Sequence, residues 1–133
     1  MEITLNHTVV PSENGVESAK WYAEVFGFEY LRDWGQFSVV KVSSTLTLDF
    51  ESADKDHLCL HYAFKVTDEE FDAIMGRLKK MKVDLASDPV EAEQGKFDGE
   101  IYKHNGGRGV YFLDPSKHLL EIMTMDYDLD AWS

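Results

Sequence analysis

The feature that most constrains this 133-residue chain is that one short order of elements is written in it twice. Residues 3–10 (Ile-Thr-Leu-Asn-His-Thr-Val-Val) alternate as a strand that Pro11 is expected to stop. Ser12 is placed to cap a following helix, in which Val16, Ala19, Ala23 and Phe26 recur as one apolar stripe before Gly27 ends it. Strands expected over 28–33, 36–42 and 45–51, with turns at Gly35 and Ser43-Ser44, complete a β-α-β-β-β unit. The order then restarts with a strand over 58–66. Thr67 and Glu70 have capping-box spacing, and Phe71, Ile74, Leu78 and Met81 repeat the helical stripe. Further strands are expected near 83–86, 108–113 and 118–124. Residues 88–107, with Pro89, Gly95, Gly99, Gly106 and Gly107, form the longest irregular stretch, and a loop of that length in a small domain is more often functional than idle.

The two helical stripes are 55 residues apart and the leading strands 54, from His7 to His61. The closing strands carry acids 72 residues apart, Asp49 and Glu121, so the extra residues fall in the 88–107 loop. This pattern predicts a single α+β domain over 1–133, with one module over about 1–55 and a second over about 56–126. Each module brings a histidine on its first strand and an acid on its last. Alternation puts His7 on a face with Leu5 and Val9, and His61 with Cys59 and Ala63. Glu121 shares a face with Leu119 and Met123, where an ionised carboxylate is costly unless paired or bound to metal. Asp49 sits with Thr45 and Thr47, in more polar company. Two imidazoles and a carboxylate converging from separate strands match the open-sided triad that binds non-haem Fe(II), and Mn, Ni or Zn accept the same donors.

Composition narrows the partners. Asp and Glu number 25 against 13 Lys and Arg, a formal charge of −12, which disfavours nucleic acid and anionic membrane surfaces. The single cysteine, Cys59, excludes an internal disulfide framework and a thiolate-rich metal cluster. No apolar run approaches the ~20 residues a membrane span needs. Met1-Glu2-Ile3-Thr4 shows no basic lead-in to a signal segment, so a soluble, cytoplasmic protein is expected. The acidic tail from Asp126 to Ser133 speaks only for solubility, with Trp132 a candidate to dock on a neighbour.

Four stretches resemble the vicinal oxygen chelate superfamily, the glyoxalases, bleomycin resistance proteins and extradiol dioxygenases. They are Leu5-Asn6-His7-Thr8-Val9-Val10, Trp21-Tyr22-Ala23-Glu24-Val25-Phe26-Gly27-Phe28, His61-Tyr62-Ala63-Phe64-Lys65-Val66, and the run from Gly109 to Glu121. The resemblance implies paired β-α-β-β-β modules whose curved mixed sheet cups a metal held by His7, His61 and Glu121. It also implies a small-molecule substrate with two neighbouring oxygens and, by analogy with small members, a homodimer.

Within the superfamily, His104, Val110-Tyr111, Asp114-Pro115 and Glu121 look like the signature of ring-cleaving extradiol dioxygenases. Tyr102 stands where that signature has a small or aliphatic residue, and Lys117 where Gly or Pro is usual. By similarity, Tyr111 and His104 would hydrogen-bond a bound catecholate, and Fe(II) is the favoured metal. The competing enzyme expectation is a glyoxalase-like lyase, isomerase or epimerase, in which Asp49 supplies a fourth metal ligand and the ion polarises a carbonyl. A third is a metal-free small-molecule binding protein of the antibiotic-sequestering kind, which would not need the His and acid set. His118 is expected to point away from Glu121, His57 to lie at the surface, and Arg108 to serve either an anionic substrate group or the surface.

Overall fold

A computed structural model describes residues 2–126; the tail that follows, Trp132 included, lies outside them. The chain divides into two compact units between Leu58 and Cys59.

The first unit runs β1 (His7–Ser12), α1 (Gly15–Phe26), β2 (Glu29–Trp34), β3 (Phe37–Lys41) and β4 (Thr47–Ser52). Its sheet has the order β1-β4-β3-β2, with β1 parallel to β4 and the other pairs antiparallel. One face packs on α1 through Val10, Val40, Leu48 and Phe50, with Tyr22 wedged against Phe50 at 4.7 Å between ring centroids. Gly27 closes the helix in the left-handed conformation (φ 79°), donating its amide to the Ala23 carbonyl.

Three local expectations change here. Pro11 does not stop β1, because β1 is a sheet edge and an edge strand tolerates a missing amide. The cap of α1 is Asn14, whose side chain accepts from the Glu17 amide, while Ser12 is buried in the strand. The buried helical face runs through Gly15, Ser18, Ala19, Tyr22, Val25 and Phe26, and Val16 faces outward. The reason lies at Gly15: a Cβ there would stand 3.1 Å from the Ser52 amide nitrogen and 3.2 Å from the Phe50 carbonyl. That close approach to β4 sets the roll of the helix about its axis.

The second unit repeats the plan with β5 (His61–Lys65), α2 (Asp68–Lys80), α3 (Pro89–Glu93), β6 (Tyr102–His104), β7 (Gly107–Leu113) and β8 (Leu119–Met123). Its order is β5-β8-β7-β6, again with one parallel pair, β5 with β8. The capping box of α2 is complete, Thr67 Oγ1 accepting from the Glu70 amide and Glu70 Oε1 from the Thr67 amide. Phe71, Ile74 and Leu78 of α2 are buried, as are Val110 and Phe112 of β7 and Leu120 and Ile122 of β8.

The segment read as irregular contains structure of its own. Residues 83–86 do not form a strand; among them only Ala86 bridges Tyr111. The fourth strand is β6, joined to β7 through Asn105 and Gly106, both at positive φ (46° and 76°), the conformation that a two-residue hairpin turn requires. Ala92 of α3 packs with Ala86 and Leu119, supported by Phe97, Tyr111 and Leu113. This small second cluster covers part of the sheet face turned away from α2.

The two sheets share one register. His7 pairs with Thr47 and Val9 with Asp49; His61 pairs with Leu119 and Ala63 with Glu121. Histidine and acid therefore occupy equivalent diagonal places in each module, as the 54- and 72-residue offsets require.

Candidate metal centre

The second module brings its histidine and acid into contact. His61 Nε2 lies 3.2 Å from Glu121 Oε1. The carboxylate is almost wholly buried, its side chain 3% exposed, while that of His61 is 44% exposed. On the other side of the ring, Nδ1 is 3.0 Å from the Leu119 carbonyl, which can only accept, so Nδ1 carries a hydrogen. A histidine ring thus meets an acceptor at each nitrogen. Such a pair is satisfied by an imidazolium or by a cation that replaces the Nε2 proton.

A divalent ion fits these donors. Two ligands at about 2.1 Å from one ion and about a right angle apart stand about 3 Å from each other, close to the separation seen here. Imidazole nitrogen and carboxylate oxygen suit Fe(II), Mn, Ni and Zn alike.

The second carboxylate oxygen, Oε2, accepts a hydrogen bond from the Tyr102 hydroxyl. Tyr102 starts on β6 and crosses β7 to reach β8. It can do so because β7 has Gly109 beneath it, where any Cβ would collide with the Tyr102 ring at 2.1 Å. Tyr111, opposite Glu121 in the β7–β8 register, stands 5.4 Å from the Tyr102 ring and 6.3 Å from His61, centroid to centroid. The carboxylate is therefore walled by two phenols and an imidazole.

Tyr102 and Gly109 thus adjoin the candidate site, which strand alternation alone does not reveal. Tyr102 was visible only as a departure from the ring-cleavage signature, because reach across two strands leaves no mark in local spacing.

Of the other sequence candidates, His104 is exposed at the end of β6, on the face that alternation shares with Tyr102. His7 is exposed in the first unit, its Nδ1 2.7 Å from Asn6 Oδ1. Asp49 accepts from the Thr47 hydroxyl at 3.0 Å. Among the described residues, no three His, Cys, Asp or Glu side chains gather as a metal site within either unit.

His118 is fully buried and turned elsewhere: its Nδ1 accepts from the Leu60 amide at 2.9 Å. His57 places Nδ1 2.9 Å from the Leu58 carbonyl. Arg108 pairs with Asp68 and Asp72 of α2 (3.2 and 2.9 Å) and lies over the Phe71 ring at 4.2 Å, a surface clasp between sheet and helix. Beside His61 a cavity of about 390 Å³ opens, with Cys59, Glu93, Leu113, Lys117 and Leu119 in its wall. That volume suits a small molecule.

Two modules of identical strand order, with His and acid in matching registers, define a small α+β protein of paired, equivalent sheets. Residues 4–122 match the family model described as the Glyoxalase/Bleomycin resistance protein/Dioxygenase superfamily, and the chain belongs to that superfamily. Among solved structures it is similar to the oxidase ChaP-H2, at 35% identity over 96% of this chain and 98% of that one, with a TM-score of 0.88. It is likewise similar to the oxidase ChaP-H1, at 38% identity over 96% and 99%, with a TM-score of 0.86. The fold extends to a fosfomycin resistance protein, FosX of Listeria monocytogenes, at 18% identity over the full length of both chains and a TM-score of 0.71; that structure holds Mn(II) and 1S,2S-dihydroxypropylphosphonic acid. No helix of the described residues is long and apolar enough to cross a membrane.

Proposed function

We propose that this chain is a metal-dependent oxidase acting on a small aromatic substrate with two neighbouring oxygens, with extradiol-type ring cleavage of a catechol as the leading reaction. The observation that carries the reading is the His61–Glu121 contact, a buried carboxylate and an imidazole donor 3.2 Å apart with the far side of the ring tied to a carbonyl. The likeness to two oxidases at 35% and 38% identity supports the same direction.

His61 and Glu121 would hold the ion, with His7 as the third ligand that the family resemblance implies. Fe(II) is favoured: when bound, it would supply Lewis acidity toward two neighbouring substrate oxygens and redox capacity that no side chain supplies. The protein's own part is positional. The Leu119 carbonyl holds His61 in the tautomer that leaves Nε2 free to ligate. In this reading His104 would accept a proton from a substrate hydroxyl and Tyr111 would hydrogen-bond a substrate oxygen, the roles that the family resemblance implies. The assembly is a homodimer in this reading, checked by light scattering; a monomeric mass rejects it.

A second reading has an observation of its own. Asp49 occupies in the first module the register place that Glu121 occupies in the second. If Asp49 also ligates, the chemistry is that of a glyoxalase-like lyase, isomerase or epimerase, with Ni, Zn or Mn as the ion.

Metal content and oxygen uptake separate the readings. Protein purified without chelators and loaded with Fe(II) is expected to consume O₂ with catechols and to release a coloured ring-fission product, both lost in His61→Ala. Bound metal without oxygen uptake across a broad catechol panel points to the isomerase reading. Less than ~0.1 metal per chain, unchanged by reconstitution, points to a metal-free binding protein, since a genuine site couples binding to its ligands.

A further inference from the structure

We infer that Tyr102 is the positioning residue of the metal centre: its phenol ties up one oxygen of Glu121 so that the carboxylate meets the ion through the other alone. The inference rests on the metal-site reading above and concerns how Glu121 is presented. Three observations carry it. The Tyr102 hydroxyl donates to Oε2, whereas Oε1 is the oxygen that faces His61 Nε2. The path from β6 to β8 exists only because residue 109 is glycine, since a Cβ there would overlap the Tyr102 ring, with its Cζ 2.1 Å and its hydroxyl oxygen 2.2 Å away. Finally, Glu121 is 2% exposed, so Oε2 would lose its partner in a place where water does not readily replace it.

The first module shows what happens without the device. By register, the place of Gly109 is taken there by Phe37, and the strand position of Tyr102 by Trp34. Trp34 is 68% exposed. Asp49 instead accepts from Thr47, two residues away on its own strand. Tyr102 and Gly109 are thus a matched pair that the duplication did not supply. A carboxylate tethered by one oxygen keeps a single ligating atom aimed at the ion; released, it can swing or ligate through both.

Cobalt(II) is the probe, because its visible spectrum reports the number and arrangement of donors. Tyr102→Phe keeps the ring and deletes the hydroxyl; Gly109→Ala keeps the hydroxyl and evicts the ring. Both variants are expected to bind Co(II) ~10–100-fold more weakly by calorimetry. Both should also shift the Co(II) visible bands in the same sense, a change that a general loss of packing would not produce. Lys103→Ala, on the same strand and outside the contact, should bind and absorb like the wild type. Wild-type affinity and an unchanged spectrum in Tyr102→Phe would overturn the role given to Tyr102 and leave the metal site standing. Failure of the wild type itself to take up Co(II), or indifference of uptake to His61→Ala, would overturn the metal reading and this inference with it.

Discussion

The two modules have the same strand order, the same register and the same His–acid diagonal, yet they treat their acids differently. Asp49 is half-buried and satisfied by a threonine on its own strand. Glu121 is buried, contacts His61 and is tethered by Tyr102. Partner residues explain part of the contrast: the residue opposite the histidine is Thr47 in one module and Leu119 in the other. The inserted segment explains the rest. Residues beyond α2 return as α3 and lay Ala86, Ala92 and Phe97 against Leu119, while β6 delivers Tyr102. Duplication places a carboxylate; burial and tethering turn one copy into a ligand candidate.

The sharpest way to break this comparison is to remove each acid or its histidine in turn. Loss of a donor in the second module, by His61→Ala or Glu121→Gln, is expected to weaken divalent-metal binding by at least ~100-fold in calorimetric titration. Asp49→Asn should change it by no more than about threefold. An equal loss from both acids would erase the asymmetry and favour the four-ligand, isomerase-type centre.

Stability offers a second contrast through the helical glycines. Gly15→Ala would drive a methyl into the backbone of β4, a strand paired on both sides and unable to give way. A cost of about 1–3 kcal/mol in urea unfolding is expected. Gly76, exposed within α2, has nothing within 4 Å of an added Cβ. Gly76→Ala should therefore stabilise by about 0.5–1 kcal/mol, as a helix-interior glycine gives up more backbone freedom than alanine.

The smallest expected effect separates the two helix caps by pH. The Thr67 backbone amide, and after it the Thr67 hydroxyl, holds the Glu70 carboxyl below its ordinary value. A depressed carboxyl favours the folded state above the unfolded-state value, about 4.3, and that contribution fades as pH falls through the lower folded value. Asn14, which caps α1, has no titratable group. Thermal unfolding at pH 7 and pH 3 should show the wild type losing slightly more than Glu70→Gln over that interval. Equal losses would mean that the capping box contributes no measurable pH dependence.

Much of the fold was legible because it is local. The 3-4 spacing of Phe71, Ile74 and Leu78, the Thr67–Glu70 pair and Gly27 each act over one or two helical turns, and each stands where the spacing put it, while Met81, the last of the expected stripe, is the half-buried C-cap of α2. The errors came where distant chain decides. Whether Pro11 ends a strand depends on whether that strand lies at an edge, and whether Val16 is buried depends on how closely Gly15 approaches β4. The hairpin from Tyr102 had a signal in Asn105-Gly106 that the surrounding glycines masked.

For the candidate site the division is similar. Alternation along one strand was enough to put Glu121 on an apolar face and His61 on the face with Cys59 and Ala63, since side-chain direction in a strand has a period of two. Which atoms meet required the pairing of separate strands: the parallel register of β5 with β8 that brings Nε2 to Oε1, and the gap over Gly109 that lets a phenol from β6 reach the same carboxylate. A periodic pattern carries orientation but no distance, and distance across a sheet is set by neighbours that the chain supplies from far away.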